Sequence, residues 1–414
     1  MLSVVDRPAI LGGEPVARSR IPFTRIIIGE EEKKAVEEIL RSRLFVNGPY
    51  TRLLEEEFAR YVGVKHAVAT SNGTTALFLA YLALGLGFGS RIATTPLTFI
   101  ATASTILHIG GVPLFADVDE YGNLDPCLVE ELEELDAVVV VHLYGLPADM
   151  NGFDRISRAR NCYIIEDAAH AHGAEFSGRK AGSLGHAATF SFYPSKIIGA
   201  GGWGGIVTTN NSDVAYRLRM LRAHGELRVI KGAEGAYEYV MLGYNMRLSE
   251  IEAAITYYQL KRLDDLVRKR REAAKILSEM LSEVPGISIP REPPGRKHSY
   301  YIYSITIEPQ IIGWDRDRFV EALNAEGIDA RRGYHIPLHR TTLFKKIHDG
   351  AINPFATLID YPKYSEMRFP NAERLAERTV WLPLYPGLKV ETIEAVAKAV
   401  RKLVLWGRRR RGLD

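Results

Sequence analysis

The sequence predicts an α/β fold, with a large domain built on a mostly parallel central sheet and a smaller C-terminal α+β domain. Three observations carry that expectation. Between His66 and Thr209, short apolar runs alternate with helical stretches. The runs are continuously apolar rather than alternating, as strands covered on both faces are. Residues able to do chemistry recur just past the ends of the runs, where ligands bind in such sheets.

Taken in order, Met1 to Arg25 shows little periodicity and is expected to run over a surface. Gly29–Leu40 reads as a helix, Asn47-Gly48-Pro49 as a turn, and Thr51–Tyr61 as a second, amphipathic helix. The strand set then begins with His66–Thr70, followed by the turn Ser71-Asn72-Gly73-Thr74 and a helix over Thr75–Leu84. Arg91–Thr95 is a strand, Phe99–Ile109 a helix, Val112–Ala116 a strand and Pro126–Leu135 an acidic helix. Ala137–His142 is the most β-branched run in the chain, and Cys162–Ile165 is a strand that ends in Glu166-Asp167. Ala187–Phe192 and Gly205–Thr209 complete the set. Ser249 with Glu252 suggests a capping box opening a long helix to about Leu266, which runs on into the charged stretch Arg268–Glu272. That helix is expected to carry the boundary, giving domains over 1–265 and 266–414. In the second, Tyr300–Ile307 reads as a strand, with helices over Arg316–Glu326 and Val390–Leu405.

Composition narrows the function classes. The chain has 414 residues, 46% hydrophobic and 25% charged, with 53 basic against 50 acidic side chains and a net charge of +3. Nothing in that balance argues for nucleic acid or a membrane as a partner. The basic run Arg408–Arg411 reads as a solvated tail. Two cysteines, Cys127 and Cys162, make no disulfide framework, so a cytoplasmic location is the expectation. No apolar run is long enough to span a bilayer, and no signal pattern opens the sequence. His170 and His172 lie two apart with no cysteine or carboxylate at ligand spacing, so no metal is expected.

The chemistry centres on Phe190-Ser191-Phe192-Tyr193-Pro194-Ser195-Lys196 and the glycines from Gly199 to Gly205. Alone, Lys196 reads as a side chain reaching from a strand end to water. A lysine amine in such a setting is also a nucleophile able to form a Schiff base with an aldehyde. Ser71-Asn72-Gly73-Thr74-Thr75 leads into a helix, whose free N–H groups and dipole suit a phosphate, although a plain helix cap looks the same. It is neither a Walker loop nor a Rossmann fingerprint. Asp167 ends a buried strand and needs a partner, either an arginine or a protonated pyridine nitrogen. Phe99 reads as a core aromatic or as a ring stacked on a cofactor. Lysine, acid, phosphate turn and aromatic ring together describe what pyridoxal phosphate requires.

The ordered stretches Asn47–Pro49, Ser71–Leu77, Pro96–Thr102, Val141–Gly145, Glu166–His170, Phe190–Lys196, Leu242–Arg247 and Tyr334-His335 resemble the DegT/DnrJ/EryC1/StrS family of sugar aminotransferases. The resemblance covers nearly the whole chain and implies the type I fold of pyridoxal-phosphate aminotransferases. It further implies that Lys196 forms the Schiff base and shuttles the proton, and that Asp167 pairs with the pyridine nitrogen. Phe99 and Ala169 would flank the ring, with His170 near its hydroxyl and Gly73, Thr74 and Ser191 on the phosphate. Asn245 would reach the phosphate of a neighbouring subunit in a homodimer, while Arg247, Tyr334 and His335 would lie near substrate. Relatives that act as dehydratases carry histidine in place of the lysine, so Lys196 favours transamination. Trp203 departs from the small or acidic residue common at its position, and reads as narrowing the sugar pocket or packing across a dimer.

The implied reaction takes an amino group from glutamate, or glutamine, to a keto sugar, most simply a nucleotide-linked one, by a ping-pong mechanism. The alternatives are an inosose aminotransferase, a dehydrating aminohydroxybenzoate-type synthase, and a cofactor-binding regulator without turnover, for which no DNA-reading module is visible.

Overall fold

The computed structural model describes residues 6–227 and 238–413. Seven strands form the central sheet: β1 (His66–Thr70), β2 (Arg91–Thr94), β3 (Val112–Phe115), β4 (Ala137–Val141), β5 (Tyr163–Asp167), β6 (Ala187–Ser191) and β7 (Gly205–Thr209). Their spatial order is β1-β7-β6-β5-β4-β2-β3. The pairs β2–β3, β2–β4, β4–β5 and β5–β6 are parallel. Only β7 runs against its neighbours β1 and β6. The cause is local: residues 192–204, between β6 and β7, contain no crossover helix, so the chain turns straight back.

Alternate residues of each strand feed opposite faces, as the period of two requires. Val68, Ile92, Val139, Ile165 and Val207 pack under the helices Gly73–Ala83, Ala101–His108 and Ser212–Leu221. On the other face, Ala69, Ala188, Phe190 and Ile206 meet the helices Pro49–Val62 and Glu250–Lys261. The parity places Asp167 on the same face as Ile165, and Glu166 on the opposite one.

A second sheet, β8 (Ile287–Ser288), β9 (Tyr303–Ile307), β10 (Arg331–Arg332) and β11 (Thr379–Leu382), is antiparallel in the order β8-β9-β11-β10. Tyr303, Ile305, Ile307, Val380 and Leu382 bury against the helices Leu263–Leu281, Arg316–Ala325 and Val390–Arg410.

Several elements differ from the sequence reading. The helix opened by Ser249 stops at Lys261, and a new one begins at Leu263. At the break, the Arg262 guanidinium turns aside to the buried carboxylate of Glu32. The acidic helix ends at Glu130, well before Leu135, and Glu134 adopts a left-handed backbone. The strand expected from Tyr300 starts only at Tyr303, because Tyr300 has φ of 50° and the chain before it belongs to another structure. Helices Met150–Arg160, Ser212–Leu221 and Pro370–Arg378, and strand β11, were not among the sequence expectations. The C-terminal helix takes in Arg408–Arg410, which therefore form its last turn, where cations oppose the negative end of the dipole.

Candidate active site

The carboxyl ends of β1, β5 and β6 and the start of β7 lie on one edge of the sheet. Thr70 pairs with Gly205, Gly205 with Ser191, and Thr189 with Asp167. The Ser71–Thr74 turn leaves β1 at this edge and enters a helix capped by Asn72, whose Oδ1 accepts the Thr75 N–H at 2.9 Å. The Asn72 N–H in turn donates to Thr75 Oγ1 at 3.1 Å. The N–H groups of Gly73 and Thr74, in the first helical turn, have no intrahelical acceptor. A Cβ added to Gly73 would come within 2.7 Å of Ser191 Cβ, so turn and strand end are pressed together around this glycine. Likewise a Cβ at Gly205 would strike the Asn72 carbonyl at 2.4 Å. Free N–H donors at a helix start beside a serine hydroxyl are a donor set that suits a phosphate.

Asp167 is buried, and its two oxygens receive one donor each from behind. Thr102 Oγ1 donates to Oδ2 at 2.8 Å, and the Ala169 N–H donates to Oδ1 at 3.2 Å. Thr102 is itself bonded to Thr98 at 3.0 Å. Burial raises the Asp167 proton affinity, while Thr102, the Ala169 N–H and the Lys196 charge pull it down. No arginine, lysine or histidine is within ion-pair distance of it among the described residues, so of the two partners the sequence allowed, an arginine does not supply the cation. A protonated ring nitrogen meets that need.

Lys196 lies in the turn after β6, its N–H donating to the Tyr193 carbonyl at 2.8 Å. Its Nζ stands over the Tyr301 ring, 4.5 Å from the centroid. The Tyr301 ring also meets His170 at 4.6 Å, and its hydroxyl pairs with Ser195 Oγ at 3.1 Å. His170 Nδ1 accepts the Tyr144 N–H at 3.3 Å, so its second nitrogen is the one left to carry a proton. Burial, then the charges of Lys196 and His172, hold its pKa well below the ordinary histidine value. Tyr334 stacks on Tyr144 at 6.1 Å and on His170 at 6.4 Å, and burial raises its phenol.

The expected residues thus fall into groups. Lys196 and His170 meet on the Tyr301 ring and Tyr334 stacks on His170, with Asp167 and Ala169 at the end of β5 and Gly73 pressed on Ser191 at the end of β6. Asn245 and Arg247 lie beside the turn, since the Ser71 N–H donates to the Met246 carbonyl. Arg247 donates to Asn245 Oδ1 at 3.0 Å, and Asn245 is exposed. Phe99 is 57% exposed and His335 is exposed, and neither has a ring contact or side-chain bond to the cluster among the described residues. Trp203 is exposed, its ring resting on Tyr193 at 5.4 Å and its backbone N–H donating to Glu252 Oε1. Sequence reasoning missed Thr102, Tyr144 and Tyr301. The Thr98/Thr102 spacing of four was a usable signal for the first. Tyr301 was hidden by the apparent strand.

The profile of the DegT/DnrJ/EryC1/StrS aminotransferase family matches residues 26–401. The chain belongs to this family. A spore coat polysaccharide biosynthesis protein, SpsC of Bacillus subtilis, is 36% identical over 392 residues, 93% of this chain and 97% of that protein. A UDP-N-acetyl-3-dehydro-alpha-D-glucosamine 3-aminotransferase of Acidithiobacillus ferrooxidans is 34% identical, covering 90% of this chain and 94% of its own length. Among solved structures, DesV of S. venezuelae in complex with a ketimine intermediate superposes with a TM-score of 0.82. It is 32% identical and covers 94% of this chain and 99% of its own. This member of the family is a pyridoxal-phosphate-dependent sugar aminotransferase with the fold of that enzyme class. The residues fit the cofactor, as the pinched glycine at the cradle and the buried carboxylate without a cation indicate. No helix among the described residues is long and apolar enough to cross a membrane.

Proposed function

We propose that this aminotransferase takes the amino group of glutamate, or glutamine, and delivers it to the ketone of a nucleotide-linked sugar. The nucleotide-linked acceptor is supported by the similarity to the UDP-sugar 3-aminotransferase. The observation that carries the site assignment is Asp167, a buried carboxylate given two donors from behind and no cation in front.

Pyridoxal phosphate bound at this site would supply an electron sink for moving an amine from one carbon to another. Gly73, Thr74 and Ser191 would hold its phosphate. Asp167 would keep the proton on the ring nitrogen. Lys196 Nζ would be the amine that holds the cofactor and the group that moves a proton. His170, fixed by the Tyr144 N–H, would serve the ring hydroxyl through its remaining nitrogen, while Ala169 and Phe99, the latter exposed here, would flank the ring. Arg247, Tyr334 and His335 would contact the substrate. Donor and acceptor use the same residues in turn, so the kinetics are ping-pong. The domains are proposed as 1–265 and 266–414, with the boundary near the start of the helix Leu263–Leu281.

The working unit is a homodimer. Leu44, Phe45 and Val46, Trp203, and Tyr239, Val240 and Leu242 form exposed apolar stretches, with Leu242 83% exposed. The exposed Asn245 would serve a neighbour's phosphate. Analytical ultracentrifugation is expected to give a dimer, and a monomer at micromolar concentration would remove this part of the reading.

The test of function is the visible spectrum of the protein with pyridoxal phosphate, before and after glutamate. A visible band that bleaches with glutamate, and parallel initial-rate lines against a keto-sugar nucleotide, are expected. Lys196→Ala should abolish band and turnover with the fold intact. Intersecting lines, or a band retained in that variant, would contradict the mechanism.

A further inference from the structure

Lys196 has an unusual seat. Its Nζ stands over the face of Tyr301 rather than beside a carboxylate, and that ring comes from the chain leading into β9. The segment Ser299–Ile302 is latched across the active-site loops at several points. The Ser299 N–H donates to the Gly145 carbonyl at 2.9 Å, and the Ile302 N–H to the Tyr144 carbonyl at 3.3 Å. Gly145 has φ of 104°, and a Cβ there would meet Ser299 Oγ at 2.5 Å and the Tyr301 nitrogen at 3.1 Å. Only glycine admits so close a crossing.

From the other side the segment is gripped by Arg270, a 1% exposed residue of the helix Leu263–Leu281. Its Nη1 donates to the carbonyls of Tyr300, Tyr301 and Leu384, at 3.2, 3.3 and 2.9 Å. No carboxylate pairs with it among the described residues, and burial pushes its pKa down to about 10. A buried guanidinium spent on three carbonyls is costly unless the geometry it fixes matters. What it fixes is the backbone that carries the Tyr301 ring. That ring touches two residues of the site at once, Lys196 and His170, and its hydroxyl is bonded to Ser195, the residue before the lysine.

We propose that Tyr301 is the positioning residue for Lys196, its aromatic face setting where Nζ rests, and that Arg270 positions Tyr301. The inference rests on Lys196 being the cofactor lysine, and its test is built to fail separately from that assignment.

The first readout needs neither cofactor nor donor. Protein free of pyridoxal phosphate is treated with trinitrobenzenesulfonate, and the labelling rate of Lys196 is followed by peptide mass spectrometry. Tyr301→Leu, which keeps bulk but loses the ring face, should label several-fold faster than wild type, and Tyr301→Phe should label as wild type does. The second readout is single-turnover bleaching of the visible band by glutamate. The Leu variant should be slower by roughly tenfold, the scale of one desolvated cation–ring contact. Its apparent glutamate affinity and its dissociation constant for pyridoxal phosphate should change less than threefold. Arg270→Lys should move both rates in the same direction and less far. Equal labelling of the Leu variant and wild type would overturn the proposal, as would a Phe variant as impaired as Leu. A wild-type protein with no band would instead remove the assignment of Lys196 and leave the labelling result standing.

Discussion

Glu166 and Asp167 are consecutive carboxylates on β5, both buried, and they do opposite things. Glu166 faces the side where the chain has surrounded it with donors. Its Oε2 accepts from His142 Nε2 at 2.9 Å and from the Gly182 N–H at 2.7 Å. Its Oε1 accepts from the N–H groups of Leu184 and Gly185, at 2.7 and 2.8 Å. The histidine is held in turn by the Ala148 N–H on Nδ1, at 3.1 Å. Nothing is left for a ligand. Asp167, one residue on and therefore on the other face, has a single donor on each oxygen. The difference teaches how to tell a buried acid that is fully satisfied within the fold from one left available to a ligand: the second is still owed a cation.

The comparison can be broken in four ways, from the largest effect down. Glu166→Gln puts an amide N–H₂ where only donors converge, and should cost about 3–5 kcal/mol of stability, read by denaturant unfolding. Cofactor affinity of the folded fraction should be unchanged. Asp167→Asn is expected to reverse that pattern. Its unfolding midpoint should match wild type, while single-turnover bleaching with glutamate slows by about 10²–10³-fold, the scale for losing one preorganised electrostatic group. If the two variants fail alike, the division of labour drawn here is wrong.

The third test concerns buried groups lacking any counter-charge. His172 and His298 are pushed down to about 3 by burial, and neither ring nitrogen of His172 has a partner among the described residues. The unfolded chain therefore takes up protons below about pH 6.5 while the folded one does not. Stability is full above that pH and is lost as pH falls toward 3, by about 2 kcal/mol per histidine at pH 5. His172→Phe should flatten the slope of stability against pH between 6.5 and 5; an unchanged slope would assign the loss elsewhere. The smallest effect sharpens the role of Asp167. Thr102→Val removes its side-chain donor and should weaken pyridoxal phosphate binding roughly tenfold, most strongly at acid pH, with Thr102→Ser restoring it. Equal affinity in the Val variant would leave Thr102 a packing residue only.

Much of this arrangement was legible in the sequence because it is periodic or local. The β-branched run Ala137–His142 could only be a covered strand, and Asp167 stood where such strands present ligands. The turn at Gly73 announced itself by its own residue types. What escaped depended on contacts far apart in the chain. The antiparallel sense of β7 follows from a connection without a helix, which strand patterning does not reveal. Tyr301 sat in what read as strand alternation, and only the left-handed backbone at Tyr300 and the grip of Arg270 turn it toward Lys196. Thr102 lies in the Pro96–Thr102 stretch, where a hydroxyl one turn into a helix looks like any other until its partner is known.

The cradle for the phosphate joins the first strand of the sheet to the last. Thr70 pairs with Gly205, and Gly73 presses on Ser191. On the ribosome, then, the Ser71–Thr74 turn emerges long before the segment that completes it. With the phosphate held as proposed, pyridoxal phosphate would be captured only by a chain that has closed its sheet, and cofactor uptake would be a late report on folding rather than a seed for it.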